Sequence, residues 1–432
     1  MLSRNKARAR IKSISWLSLC ACAGLTFIQA ARAQNDCANK PDYFEPLTSG
    51  DGQRYPLAIG PVTWHLLGSG VYPVKGSDGR IHLAFAMLFT NPWSLPTTIQ
   101  SVEVVDPSRN NQRTGTNRVL SVKDEEVTSE IRPLASKSSG DKADYSRKLT
   151  GGQSGVMYFD VSYANTSDVP CSIALRVHSV QPESKTMPES TLLSPPLSLS
   201  SRLPIVIAPP FKGEGWVNAN GCCLEVGPHR LVVNAMNGTL DPSEGFAIDW
   251  IKVDREGRAF RTDGKKSEDW LCYGTDVLAV APGTVVETMR DLPNEPPGVA
   301  PSGLKVSEIA GNHVLLSLGD GRYAMYAHLA PHSVTVRVGD RVITGDKLGL
   351  LGNSGNTTGP HLHFQISDRP STLDVTSLPF AFEGMTLQGR TPLDLDDIES
   401  YSIKGTALPI DRNVAKRLTR AMPLSLDVVG FP

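Results

Sequence analysis

Four histidines and one aspartate in the second half of the chain are of the types that metal-assisted hydrolysis uses, and two of the histidines also have a spacing that suits it. In Gly359-Pro360-His361-Leu362-His363-Phe364-Gln365-Ile366, an extended strand sends alternate side chains to opposite faces. His361 and His363 then share one face, while Leu362, Phe364 and Ile366 point the other way into a core. Two imidazoles one pleat apart can serve a single metal ion, one as ligand and one beside its bound water. Tyr323-Ala324-Met325-Tyr326-Ala327-His328 supplies a third histidine, and alternation predicts His328 on the face of Ala324 and Tyr326. His332, beyond Pro331, reads as a loop residue. In Gly245-Phe246-Ala247-Ile248-Asp249-Trp250, Asp249 lies opposite Ile248 and Trp250. An acid in so apolar a strand is costly unless a cation or hydrogen bonds compensate it. His229, twenty residues earlier, is the remaining candidate, either ligand or loop histidine.

Two imidazoles and a carboxylate would hold Zn²⁺ with a fourth position open to water, the pattern of a catalytic rather than a structural zinc site. Zinc would bring the pKa of that water toward ~7 and polarise a carbonyl. The other two histidines would move protons and stabilise the oxyanion.

Elements able to position such a site are strands. Residues 34–205 carry short β-rich runs separated by turns, such as Ile81-His82-Leu83-Ala84-Phe85-Ala86-Met87-Leu88-Phe89 and Gly155-Val156-Met157-Tyr158-Phe159, which predict a β-sandwich of immunoglobulin-like type. His65, His82 and His178 read there as strand histidines. The polar stretch from about 106 to 152 reads as a surface excursion, and a Ser/Pro/Leu-rich segment near 194–204 as a linker. Glycine-punctuated strands run from 206 to about 385. The extension 386–432, expected to pack on the β domains, contains one candidate helix, residues 413–421, and a strand pattern from Pro423 to Val429.

The first 33 residues have the form of a signal peptide: basic residues Arg4 to Lys12, an apolar run, then Ala31-Arg32-Ala33. Export to the periplasm or the medium is therefore expected, with no membrane span left after cleavage. Of 43 basic residues six lie in this leader, so 37 face 44 acidic ones in the mature chain, a formal charge of −7. That balance argues against a nucleic-acid partner. Five cysteines remain, Cys37, Cys171, Cys222, Cys223 and Cys272, an odd number that leaves one unpaired or paired outside the chain. Bridges from Cys37 to Cys171 and from Cys222 or Cys223 to Cys272 are candidates, with a vicinal Cys222–Cys223 bond a less favoured option.

Ala247-Ile248-Asp249-Trp250, Tyr326-Ala327-His328-Leu329, the glycine-rich run from Val338 to Asn356, and Pro360-His361-Leu362-His363-Phe364 together resemble the lysostaphin/LytM zinc metallopeptidases, over about residues 206–380. The resemblance implies a small antiparallel β domain with a groove and a zinc endopeptidase acting on peptidoglycan cross-links or stem peptides. It implies His229, Asp249 and His363 as zinc ligands and His361 and His328 as catalytic histidines. The commonest family pattern has the first ligand four residues before the aspartate, so here the intervening chain must loop out and return. The Pro-rich stretch 291–303 is a second departure, able to border the groove. Two other classes compete. One is a non-catalytic LytM-domain regulator or cell-wall-binding protein acting on a cell-wall amidase. The other is a carrier module, since Val338 to Gly349 resembles a biotinyl or lipoyl hairpin containing Lys347.

Overall fold

The computed structural model describes residues 59–109, 112–117, 131–133, 146–223, 229–392 and 406–432. The leader, Cys37 and most of the polar stretch between 106 and 152 lie outside the described residues. The chain is mainly β, and every helical segment among the described residues is a three-residue 3-10 turn.

The first part is built on strands β1 (Thr63–Leu67), β2 (Ile81–Thr90), β3 (Thr97–Asp106), β4 (Ser154–Tyr163), β5 (Ser172–Val180) and β6 (Glu189–Leu193). They form two six-stranded antiparallel sheets, ordered β1-β2-β4 and β6-β5-β3 with short strands added. Leu83, Phe85, Met87 and Phe89 of β2 share one core with Ile99, Val102 and Val104 of β3 and with Leu175 and Val177 of β5. Phe85 stacks on its register partner Phe159 at 4.7 Å, and burying each ring contributes about 1.5–3 kcal/mol. The alternate residues Ala86, Val156 and Tyr158 are also buried, in a second cluster with Leu231, Val233 and Leu240. The sheet β1-β2-β4 is thus covered on both faces.

His82, on β2, lies 2.9 Å from Asp160 and 3.2 Å from Asp78. Burial disfavours its charge, but hydrogen bonds to the two carboxylates outweigh burial and raise the imidazole to about 9. A raised His contributes stability that is complete below its ordinary value of 6.5 and is lost as pH rises through about 9. Between about pH 7 and 10 the wild type should lose on the order of 3 kcal/mol that His82→Gln does not lose. Urea denaturation at both pH values tests this, and equal losses in the two proteins would sink the assignment.

The second part is one eleven-stranded sheet. Its main strands are β7 (Gly213–Ala219), β8 (Ile248–Lys252), β9 (Gly283–Met289), β10 (Asn312–Gly319) and β11 (Arg322–Leu329), followed by β12 (Arg341–Val342), β13 (Leu362–Ser367), β14 (Met385–Arg390), β15 (Lys416–Leu418) and β16 (Asp427–Phe431). The order is β12-β9-β10-β11-β13-β8-β7-β16-β14-β15. Trp216, Trp250, Tyr326, Leu362, Phe364 and Ile366 fill its core. The helix expected over 413–421 does not form. Lys416, Arg417 and Leu418 instead pair with Leu387, Thr386 and Met385, because the edge of β14 offers backbone partners that outweigh a modest helix propensity. The strand expected near the C-terminus is β16, between β7 and β14. Its buried Asp427 accepts hydrogen bonds from Arg390 at 2.7 Å and from Ser77 of the first part.

Cys222 and Cys223 are bonded to each other, so the expected bridge from this pair to Cys272 does not form. Cys272 is free and buried, its Sγ 3.1 Å from the Pro360 carbonyl oxygen, and burial pushes the thiol up to about 12. Cys171 is disulfide-bonded, and its expected pairing with Cys37 lies outside the described residues.

Candidate metal centre

Adjacent strands bring Asp249 and His363 together. β8 and β13 run antiparallel with Asp249 opposite His363, while Ile248 and Trp250 on one strand and Leu362 and Phe364 on the other face the core. Strand period alone therefore turns the acid and the imidazole outward into the same groove. His361 lies one pleat before His363 and lines that groove too, as the alternation predicts.

His328 reaches the groove by a different route from the one expected. Ala324 and Tyr326 are fully buried in the core, and it is Met325 and Ala327 that line the groove. Strict alternation would bury His328 beside Tyr326. Instead its φ is +62°, and the register with β10 shifts between Asn312 and Val314. This left-handed residue at a bulge re-aims the side chain to the opposite face. Such a conformation costs a non-glycine residue ~1–3 kcal/mol, the kind of strain found at functional sites.

His229 sits on the 3-10 turn His229–Leu231. The chain then makes a hairpin, Asn234–Met236 with Thr239–Asp241 turning at Asn237-Gly238, and returns to β8. That hairpin is the excursion required by the long spacing before Asp249. It leaves His229 Nε2 3.0 Å from Asp249 Oδ2, and the His229 ring 4.9 Å from that of His363.

One nitrogen of each imidazole faces a hydrogen-bond acceptor away from the centre. His229 Nδ1 donates to the Ala247 carbonyl at 3.1 Å, His361 Nδ1 to the Gly359 carbonyl at 2.9 Å and His328 Nδ1 to the Ser354 carbonyl at 2.8 Å. His363 Nε2 faces the Gln365 amide oxygen at 3.2 Å. A carbonyl only accepts, so the proton is fixed on the outer nitrogen and the inner nitrogen offers a lone pair. Two of those lone pairs, His229 Nε2 and His363 Nδ1, lie 3.0 Å from the oxygens of Asp249. Acceptor facing acceptor at that distance requires a proton or a metal cation between them. The ligand atoms of His229, Asp249 and His363 all lie within 4.8 Å of one another, and this set of two imidazoles and a carboxylate suits zinc.

With only protons available, the group is strongly polarised. Burial would raise the Asp249 carboxyl, but the imidazoles of His229 and His361 hold it well below the usual carboxylate range. Burial opposes charge on His229 and His361, and Asp249 raises both, His229 to about 9. Burial and the neighbouring His361 and His363 push His328 well below its ordinary value.

Residues 265–375 match the family described as Peptidase family M23. The C-terminal segment is a peptidase M23 domain of the lysostaphin/LytM type. The M23 match contains His328, His361 and His363 and starts beyond His229 and Asp249, which the geometry alone adds to the group. The segment is 36% identical over 74 residues to the peptidoglycan DD-endopeptidase ShyA of Vibrio cholerae, covering 17% of each chain. It is 36% identical over 97 residues to lysostaphin of Staphylococcus simulans, covering 22% of this chain and 16% of that one. It is 31% identical over 169 residues to the cell division protein DipM of Caulobacter vibrioides, covering 39% of this chain and 24% of that one. The chain thus spans about a fifth of the length of the curated relatives it matches. M23 is a family of zinc-dependent peptidoglycan endopeptidases, and this M23 domain carries a candidate His/Asp/His site.

Four supporting residues escaped sequence reasoning. Asn220 donates to Asp249 Oδ2 at 2.8 Å, and Glu244 lies 3.9 Å from His229. Thr357 contacts His361 Nδ1 at 3.2 Å. The fourth is Gln365, for which a signal was present, since it continues the alternation of His361 and His363. His332 is an exposed loop residue paired with Asp291. Lys347 pairs with Asp276 at 2.6 Å within the strand Lys347–Leu350, which does not suit a carrier lysine at a turn. A second grouping, His82, Asp160 and Cys223, has ligand atoms as close, but its histidine already bridges two carboxylates and its sulfur is bonded to Cys222.

Proposed function

We propose that the chain is an exported zinc metalloendopeptidase that hydrolyses peptide bonds in peptidoglycan cross-links or stem peptides. In this reading residues 1–33 are a leader, 34–205 an immunoglobulin-like sandwich, 206–385 the peptidase domain and 386–432 an extension whose last strand joins the large sheet. The observation that carries the proposal is the pair of imidazole nitrogens held 3.0 Å from the oxygens of one partly buried carboxylate. His229, Asp249 and His363 would hold zinc. When bound, the ion supplies a Lewis acid and a water of lowered pKa. His361 and His328, each fixed through Nδ1, present Nε2 to the groove, where they orient the attacking water, accept its proton and pass it toward the leaving amine.

Zinc content of the purified mature chain and the products released from defined peptidoglycan test this together. Zinc bound without cleavage would favour the alternative of a non-catalytic LytM-domain regulator acting on an amidase. Absence of zinc at saturating concentration would remove the metal centre itself.

The stretch 291–303 borders the groove, with Ala300 and Pro301 in its wall. It is pinned by Leu292 N to Asn312 Oδ1 at 2.9 Å, Asn353 Nδ2 to the Glu295 carbonyl at 2.7 Å and Gly298 N to the Thr358 carbonyl at 2.7 Å. Ala300→Trp should reduce cleavage of cross-linked peptidoglycan at least about tenfold by misplacing a bulky substrate, with zinc content unchanged. Muropeptide release at wild-type rate would show that substrate does not pass this wall. Among the described residues, the groove is lined entirely from 219–373, so no described residue of the sandwich covers it.

A further inference from the structure

The three candidate ligands are not held alike. Asp249 and His363 are register partners in the middle of the large sheet. His229 sits on a single 3-10 turn, whose hydrogen bonding is intrinsically poorer than that of a sheet ladder. The next residue, Arg230, is buried at 4% exposure and points away from the groove into the first part of the chain. Its Nη2 donates to the Phe159 carbonyl at 2.8 Å and the Phe85 carbonyl at 3.2 Å, on β4 and β2, and its guanidinium lies 5.6 Å above the Tyr158 ring. Leu231 and Val233 follow it into the cluster of Leu67, Ala86, Val156 and Tyr158. A buried guanidinium is tolerated only when its donors are met, so these carbonyls fix where the turn can sit.

We infer that Arg230 is a positioning residue for the metal centre, and that the outward face of the sheet β1-β2-β4 is the seat on which the first ligand is built. The N-terminal sheet then sets the metal affinity of a site to which it contributes no ligand. This rests on the reading of His229 as a ligand. Groups that orient a ligand from outside the metal's own contacts change affinity by about 10- to 100-fold when removed. Here the orienting group reaches His229 through its neighbour in sequence.

The test is the zinc dissociation constant of the full mature chain, measured by competition with a chromophoric chelator. The variants are Arg230→Ala, Arg230→Lys, Tyr158→Ala and Tyr158→Phe, with Asp249→Ala as the control for the site itself. Expected are a 10- to 100-fold weakening for Arg230→Ala, partial recovery with Arg230→Lys, a weakening for Tyr158→Ala and wild-type affinity for Tyr158→Phe. The melting temperature of each chelator-treated protein separates loss of fold from loss of affinity. A dissociation constant for Arg230→Ala within twofold of wild type overturns the inference, even if its melting temperature falls. Should Arg230→Ala fail to fold, unchanged zinc affinity in Tyr158→Ala overturns it instead. Equal zinc binding by wild type and Asp249→Ala would refute the metal centre, an outcome distinct from failure of the Arg230 arm.

Discussion

Asp249→Ala is expected to weaken zinc binding by orders of magnitude and to lose hydrolysis with it. Asp249 is the one carboxylate in the His229, Asp249, His363 set, and its two oxygens organise everything around them. Oδ2 faces His229 Nε2 at 3.0 Å and Asn220 Nδ2 at 2.8 Å, while Oδ1 faces His363 Nδ1 at 3.0 Å and His361 Nε2 at 3.4 Å. Without it, four imidazoles converge on a groove with no compensating charge. A dication there would meet only neutral donors, and any imidazolium would be an unpaired charge in a poorly solvated site. Removing one partner of a buried charge group costs ~3–5 kcal/mol, so zinc affinity should fall by about two to three and a half orders of magnitude. Hydrolysis of peptidoglycan should be undetectable at ordinary zinc concentrations and return in part, at most, when zinc is raised. Asp249→Asn keeps the shape and an acceptor but loses the charge. It should lose affinity nearly as fully, which separates electrostatics from packing. A variant that still copurified with stoichiometric zinc would show that the aspartate is not a ligand.

Why the site was readable from sequence, and where it was not, follows from the range of the interactions involved. His361, His363, Asp249 and their core-facing neighbours obey a two-residue period set by local backbone geometry, and the structure places all of them on the expected faces. His328 does not obey it, because its face depends on a left-handed residue and a register shift against β10, a strand distant in pairing logic if not in sequence. Histidine is among the residues that tolerate positive φ, but nothing in Ala327-His328-Leu329 announces that it is used. The twenty-residue gap before Asp249 looked like a departure. The turn signal Asn237-Gly238 that closes it was present and is a strong hairpin signal.

The near-continuous apolar run of β2 held further information. A strand exposed on one face alternates, whereas Leu83 to Met87 does not. The missing polar half corresponds to the second buried face, the one that carries Arg230 and Leu231. Opposite errors arose where local propensity lost to pairing. Lys416 to Leu418 favour helix locally, but the free edge of β14 recruits them as a strand. Cysteine spacing carried no such constraint, and Cys222 bonds its neighbour Cys223 instead of Cys272.

The two histidines proposed as catalytic make the sharper test of the proposed chemistry, because they should separate binding from turnover. His361→Ala and His328→Asn are each expected to retain zinc with near wild-type affinity and to lose about 10²- to 10⁴-fold in kcat. The case for His361 is positional. Its Nδ1 proton is committed to the Gly359 carbonyl, so Nε2 meets the groove as a base. Its ring lies 4.6 Å from that of His328, close enough for both to contact one tetrahedral centre. For His328 the choice of variant matters. Its φ of +62° is one that histidine and asparagine adopt more readily than alanine, so an alanine there would combine loss of the imidazole with added backbone strain. Asparagine tolerates the left-handed region and keeps a polar side chain without a group that can exchange a proton near neutral pH. A kcat loss in His328→Asn with unchanged zinc content and melting temperature therefore reports proton handling rather than misfolding. Loss of zinc in His361→Ala would instead make His361 a ligand and reopen the roles of all four imidazoles, and full activity in both variants would remove general acid–base catalysis from the proposal.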